Sequence, residues 1–409
     1  MKVLEQRPLK RSLNLFQLVL YGLGTTIGAG IYALIGELAG LSAYHAPLSF
    51  LVASVMASLT ALSFAELSGR YPRCAGAALY VKEAFACEGL SIFVGVLIIV
   101  AGLVSSAAII NGFTGYLAEF IELERIPAII VVTLAIGVIA AWGITQSVTI
   151  AALVTVIEIG GLLLVIAVSY SGLAELPQRW HDMVPSMDTT GWYGVYAGSL
   201  LAFYAFIGFE DMVEMAEETR HVRRNLPIGI MLTLGITTLL YMAVMVTAVL
   251  AMPPEQLARS QAPMALLYQH YSGRDATIIS VIGLFALING ALIQLIMASR
   301  ALYGMSSRKQ LPRLFSLVNA RTQTPLVATA IATAVILLLA VSGNLATLAE
   351  ATSLILLVVF SLVNLSLLRV KRIDPQPQGL IVFPAIIPVL GFHLSISFVV
   401  AEIIAWLNA

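Results

Sequence analysis

Apolar stretches of about 20 residues, the length a helix needs to cross a hydrocarbon core of roughly 30 Å, recur from one end of this chain to the other. They lie near 14–40, 47–69, 89–119, 127–144, 148–171, 192–216, 227–252, 276–305, 325–342, 347–368 and 380–407. In lipid only helices and closed barrels satisfy every backbone N–H and C=O, and stretches this long specify helices. The last stretch is interrupted by Pro384, Pro388 and Gly391, so it forms either one helix or a hairpin of two short segments; one helix, and eleven spans in all, are expected. Only 11% of the residues are charged and 59% are apolar, whereas a soluble domain carries about 25% charged residues. The solvent is therefore the bilayer. The 22 basic and 22 acidic side chains cancel, which leaves no basic excess for a nucleic-acid partner; lipid is the expected surrounding, and nothing identifies a partner subunit.

Threading these spans sorts Lys and Arg onto two faces. Four basic residues, Arg125, Arg179, Arg259 and Arg274, fall on one face, and the other 18 fall opposite, in the N-terminal segment and in clusters around Arg70, Arg223, Arg308 and Lys371. Basic loops stay in the cytoplasm, so the N-terminus is expected there. One missed span would have mixed the charges from that point onward. Lys2, Arg7, Lys10 and Arg11 precede the first apolar stretch as in a signal peptide, but the stretch is too long for a signal core and is expected to remain as a span. The two cysteines, Cys74 and Cys87, share one short segment on the cytoplasmic face and are expected to be reduced.

The first span contains Gly22, Gly24, Gly28 and Gly30 near its middle, and the sixth has Gly208 followed, after Phe209, by Glu210 and Asp211. Glycine weakens a helix interior by about 1 kcal/mol relative to Ala. Gly28 and Gly208 are 180 residues apart, Pro47 and Pro227 are 180 apart, and Asn111-Gly112 and Asn289-Gly290 are 178 apart. With the two weak points five spans apart, equivalent helices run in opposite directions. This predicts an inverted repeat, 14–171 against 192–368, with 380–407 as an extra C-terminal helix. Such repeats characterise secondary transporters whose sites form at broken helices near the midplane. Free N–H groups at residues 28 to 30 suit a carboxylate, and free C=O groups around 26 to 27 and 204 to 207 suit an ammonium; together they suit a free amino acid. The alternative is close helix packing through small residues, which Gly24 and Gly28 also fit.

The motifs Gly24-Thr-Thr-Ile-Gly-Ala-Gly-Ile-Tyr32, Ala65-Glu-Leu-Ser-Gly-Arg-Tyr-Pro72, Ala205-Phe-Ile-Gly-Phe-Glu-Asp211, Ala216-Glu-Glu-Thr219, Ala298-Ser-Arg-Ala-Leu-Tyr-Gly-Met305 and Thr322-Gln-Thr-Pro325 resemble those of the amino acid–polyamine–organocation permeases, in the branch of the cationic amino acid transporters and their bacterial relatives. The resemblance runs nearly end to end. It implies an all-α polytopic membrane protein with the fold of the sodium-coupled leucine transporter, a five-plus-five inverted repeat with discontinuous first and sixth helices, in the inner membrane of a bacterium. It also implies that the substrate carboxylate meets Gly28, Ala29 and Gly30, and the amino group meets carbonyls of Thr26 or Ile27 and of Tyr204, Ala205 and Ile207. Most members have twelve spans where eleven are counted here. His221-Val222 replaces the usual Asn-Pro and Ala75-Gly76 the usual Gly-Gly, which implies altered gating with the site retained.

Glu158 stands in the middle of the fifth span, where an ionised acid costs about 3 kcal/mol on insertion scales. Some proton-coupled members of the resembling family carry a lysine at this position. Three roles follow: proton coupling, a structural hydrogen bond to the first or eighth helix, or a place in a cation site. No cofactor is expected beyond a coupling ion, proton or sodium. Glu210, Asp211 and Glu214 are read first as structural partners and second as determinants of a cationic substrate; Glu66 and Arg300 are read as ion-pair residues. Among the aromatics near the second break, Tyr204 is assigned to the pocket wall and Phe206 and Phe209 to packing. The five histidines show no metal-ligand spacing, and no His-Glu-x-x-His or Gly-x-Ser-x-Gly motif is present, so an enzyme is not expected.

Overall fold

The computed structural model describes residues 11, 13–73, 76–142, 148–186, 189–319, 321–322 and 324–408; Lys2, Arg7, Lys10, Cys74, Ala75 and Gln323 lie outside them. Fifteen α-helices make up the described chain: α1 Leu15–Ser42, α2 Ala46–Arg70, α3 Gly76–Phe85, α4 Glu88–Leu117, α5 Arg125–Trp142, α6 Val148–Val168, α7 Leu176–Arg179, α8 Thr189–Tyr204, α9 Val222–Ala251, α10 Pro254–Arg259, α11 Pro263–Ser272, α12 Thr277–Ser307, α13 Leu326–Ser342, α14 Leu345–Ile373 and α15 Ile386–Asn408. Each of the eleven apolar stretches holds one long helix. Among the described residues, eight segments are long and apolar enough to cross a membrane, or nine if the pair bent by 53° at residues 152–183 is one span. The first of these, Leu15–Arg70, is 56 residues long and comprises α1 and α2, and the 17-residue α13 is shorter.

Local chemistry sets the helix ends. Asn14 and Gln17 form a reciprocal capping box at the start of α1, Asn344 and Thr347 do the same for α14, and Pro47 occupies the first turn of α2, where a missing N–H is harmless. Two boundaries differ from expectation. The sixth stretch stops being α-helical at Tyr204 and continues to Met215 as turns and a 3-10 helix. The last stretch is one 23-residue helix that starts only at Ile386, because Pro384 cannot continue a helix from before it while Pro388 is tolerated within the first turn.

Helices α8 and α9 each pack on α1 and α2, while α4 packs on α12 and α14, and α13 on α5. In lipid, association relies on close packing and interhelical hydrogen bonds. Buried polar side chains supply them: Asn364 of α14 bonds Ser63 at 2.6 Å and Thr60 at 3.0 Å on α2, and Ser299 of α12 bonds Thr329 of α13 at 3.0 Å. Outside the helices, Leu13 pairs with the segment around Thr219 in a short parallel bridge, its N–H donating to Glu218 (3.0 Å) and its carbonyl accepting from Arg220 (2.9 Å). At the end of α2, buried Glu66 is paired with Arg70 and with Lys371 of α14, each at 2.7 Å, and accepts the Phe383 N–H, in line with its reading as an ion-pair residue.

Candidate functional site

Two helices are broken where the glycines stand. In α1, Gly28 has ψ −114°, about 70° beyond the helical value, which turns the peptide to Ala29 off the helix axis. After Tyr204 the chain tightens: the N–H groups of Ala205, Phe206 and Ile207 each bond the carbonyl three residues back, at 3.0, 3.0 and 3.2 Å. Gly208 then takes φ +123°, a conformation reserved for glycine, and a 3-10 helix runs from Phe209 to Met215. The Gly208 N–H is held by the Glu210 carboxylate at 2.8 Å.

The two breaks touch. A Cβ at Gly208 would overlap the Thr25 carbonyl, and one at Gly30 would overlap the Cα of Ala205. Thr25 Oγ1 donates to the Gly208 carbonyl at 2.9 Å. Behind them, the Tyr241 hydroxyl of α9 lies between the carbonyls of Thr26 (2.8 Å) and Ala205 (3.1 Å), wedged by Phe50 and Phe206. One phenol thus serves acceptors from both broken helices. Removing a donor from a buried carbonyl costs about 1–3 kcal/mol, so Tyr241→Phe is expected to lower the midpoint of thermal unfolding in detergent; an unchanged midpoint would mean that the bridge contributes nothing.

A small cavity opens between the breaks. Thr26, Gly28, Gly30, Tyr204 and Ile207 line it, with Gly24 and Thr25 beside them. Of the other residues singled out from the sequence, Ile27 and Ala205 are buried outside the lining, and Ala29 sits between Gly28 and Gly30 in the turned backbone. The facing wall, which sequence reasoning did not assign, comes from Ser105 and Ile109 of α4 and Gly290, Ile293 and Gln294 of α12. The Asn-Gly pairs at 111 and 289 were the available signal for these two helices. Tyr204 is fixed by hydrogen bonding of its hydroxyl to Ser105 Oγ at 2.9 Å. Phe206 and Phe209 are fully buried in aromatic clusters.

Glu158 lies outside this lining. It is 1% exposed on α6, and its carboxylate faces Asn289 of α12 without either oxygen reaching hydrogen-bond geometry. Tyr32, beyond the break in α1, donates to the Glu158 backbone carbonyl at 2.7 Å, and Tyr32 and Tyr241 are within electrostatic reach of the carboxyl. The acid therefore sits on α6 at the residue that Tyr32 of the broken helix holds. Among the described residues, no group of three His, Cys, Asp or Glu is arranged to hold a metal ion.

The chain is 31% identical over 396 residues to a vacuolar cationic amino acid transporter of Arabidopsis thaliana, covering 91% of this chain and 61% of that protein. It is 29% identical over 348 residues to a branched-chain amino acid permease of Bacillus subtilis, covering 79% and 73%, and 25% identical over 419 residues to a methylthioribose transporter of the same species, covering 96% and 89%. The chain spans 61 to 64% of the length of the plant relatives it matches. These relatives carry the names of transporters and permeases, not of enzymes. The family model for amino acid permeases matches residues 13–407, nearly the whole chain, and the chain belongs to that family.

Proposed function

We propose that this protein is a secondary transporter of free amino acids, working by alternating access, and that the substrate's α-carboxyl and α-amino groups bind in the cavity between the two breaks. The observation that carries this reading is the contact of two discontinuous helices at one cavity, where turned backbone exposes polar groups that hydrocarbon cannot satisfy. Gly28, Ala29 and Gly30 are assigned to the carboxylate, and Thr26, Tyr204 and Ile207 to the amino group, with Ile27 and Ala205 standing behind the lining. Family membership and the equal spacing of Gly28 to Gly208 and of Pro47 to Pro227 support an inverted repeat of 14–171 and 192–368. The lopsided basic residues support a cytoplasmic N-terminus.

Coupling is assigned to a proton carried by Glu158. A carboxyl packed between helices exchanges its proton with water only when those helices part, and Glu158 adjoins the tyrosines that hold the broken helices. The purified protein in sodium-free liposomes is expected to accumulate a labelled amino acid mixture under an inward proton gradient. Uptake only into preloaded vesicles would identify an exchanger instead, and uptake only when sodium is added would identify sodium coupling.

A further inference from the structure

The 3-10 turn after the second break carries three acids, Glu210, Asp211 and Glu214, and two of them have work within the fold. Glu210 accepts the Gly208 N–H. Glu214 Oε1 is 2.9 Å from where a Cβ on Gly76 would stand, at the first residue of α3, where a helix presents free N–H groups and favours a negative charge.

Asp211 has no such task. Its N–H bonds the Gly208 carbonyl at 3.2 Å, and its carboxylate makes no hydrogen bond or ion pair among the described residues. The charged groups around it, Glu210 and Glu214, are acidic as well. Among the described residues, Asp211 is also the one charged residue lining the cavity between the breaks. It lines in addition a second cavity that shares Ser105, Ile207 and Gln294 with the first, is lined by Glu210 and Glu214 as well, and continues to Gly76 and Ala77 of α3. A long side chain on a substrate held between the breaks has this continuation to enter.

We propose that Asp211 selects cationic amino acids, pairing with the ammonium or guanidinium at the end of a side chain whose α-carbon is held between the two breaks. This rests on the amino-acid reading of the site given above. An acid removed from water without a partner is strongly unfavourable, so a cationic group there satisfies it, whereas a leucine side chain would leave it both desolvated and unpaired. Discrimination then has an attractive and a repulsive part. Relatives named for cationic and for branched-chain amino acids are almost equally similar to the chain, so overall similarity does not decide between these substrate classes and the site must.

The test uses the full chain in liposomes, with initial uptake of labelled L-arginine and L-leucine and competition of each by the other. Wild type is expected to favour arginine at least tenfold, and Asp211→Asn to lower the arginine-to-leucine ratio at least tenfold, with Asp211→Glu restoring part of it. The ratio is unaffected by a general loss of activity. If Asp211→Asn does not fold, the wild-type competition still decides, and arginine should then raise the unfolding midpoint of purified wild type more than leucine does. A wild-type preference for leucine, or an unchanged ratio in Asp211→Asn, overturns the assignment while leaving the amino-acid reading in place. Failure of both amino acids to be transported or to compete overturns that reading, and this assignment with it.

Discussion

Gly208→Ala is expected to reduce uptake at least 100-fold in reconstituted protein. The backbone at Gly208 has φ +123°, a region that costs an L-residue about 1–3 kcal/mol, and the added methyl would also overlap the Thr25 carbonyl. That oxygen belongs to the other broken helix and to its backbone, so no rotamer change relieves the overlap. The two breaks must separate, and the cavity they enclose loses its shape. With each 1.4 kcal/mol worth tenfold, strain plus overlap of roughly 3 kcal/mol is sufficient. Gly30→Val tests the same contact from the other side, since its Cβ would overlap the Cα of Ala205. Gly235 of α9 has nothing within 4 Å of an added Cβ, so Gly235→Ala should transport as wild type does. Wild-type rates in Gly208→Ala would mean that contact between the breaks is not what builds the site.

The second large effect is expected of Glu158→Gln. Glutamine keeps the shape of the side chain and removes the exchangeable carboxyl proton. Stimulation of uptake by an inward proton gradient should fall at least tenfold relative to counterflow exchange measured on the same vesicles, because exchange needs the cavity to alternate but needs no net proton movement. A purely structural role for the carboxyl would lower both rates together. If the variant keeps the wild-type response to the gradient, the proton is carried elsewhere.

The sequence made some of this legible and hid the rest for physical reasons. Helices could be read because apolar length is a local property, and both weak points could be read because Gly28 and Gly208 declare their backbone freedom in their own identity. Where α8 gives way, at Tyr204, could not: Gly194 and Gly198 stand inside the helix without breaking it, no glycine or proline marks 204, and the tightening at 205–207 depends on packing against α1. Tyr241 went unnoticed for a related reason. It resembles any aromatic residue of a membrane helix, and its importance arises only where folding brings two carbonyls, from Thr26 and Ala205, to one hydroxyl. The paired Asn111 and Asn289 drew attention to α4 and α12 correctly, but the asparagines themselves do different jobs. Asn111 accepts from Arg125 and donates to the Ala340 carbonyl at the end of α13, while Asn289 faces Glu158. The depth of Glu158 was evident from its position in the span; its place behind the cavity wall required the fold.

The small bridge between Leu13 and Thr219 has a mechanical consequence. It joins the chain just before α1 to the chain just after the 3-10 turn, and Thr25 and Tyr241 join the same two stretches at their breaks. Two flexible joints linked at both ends behave as a parallelogram: neither arm can swing without carrying the other. The outer halves of the two helices are joined separately, by Ser42 Oγ donating to the Gly194 carbonyl at 2.9 Å, so a spin-label pair at 13 and 219 should hold its separation through the transport cycle while pairs reaching across the breaks change theirs.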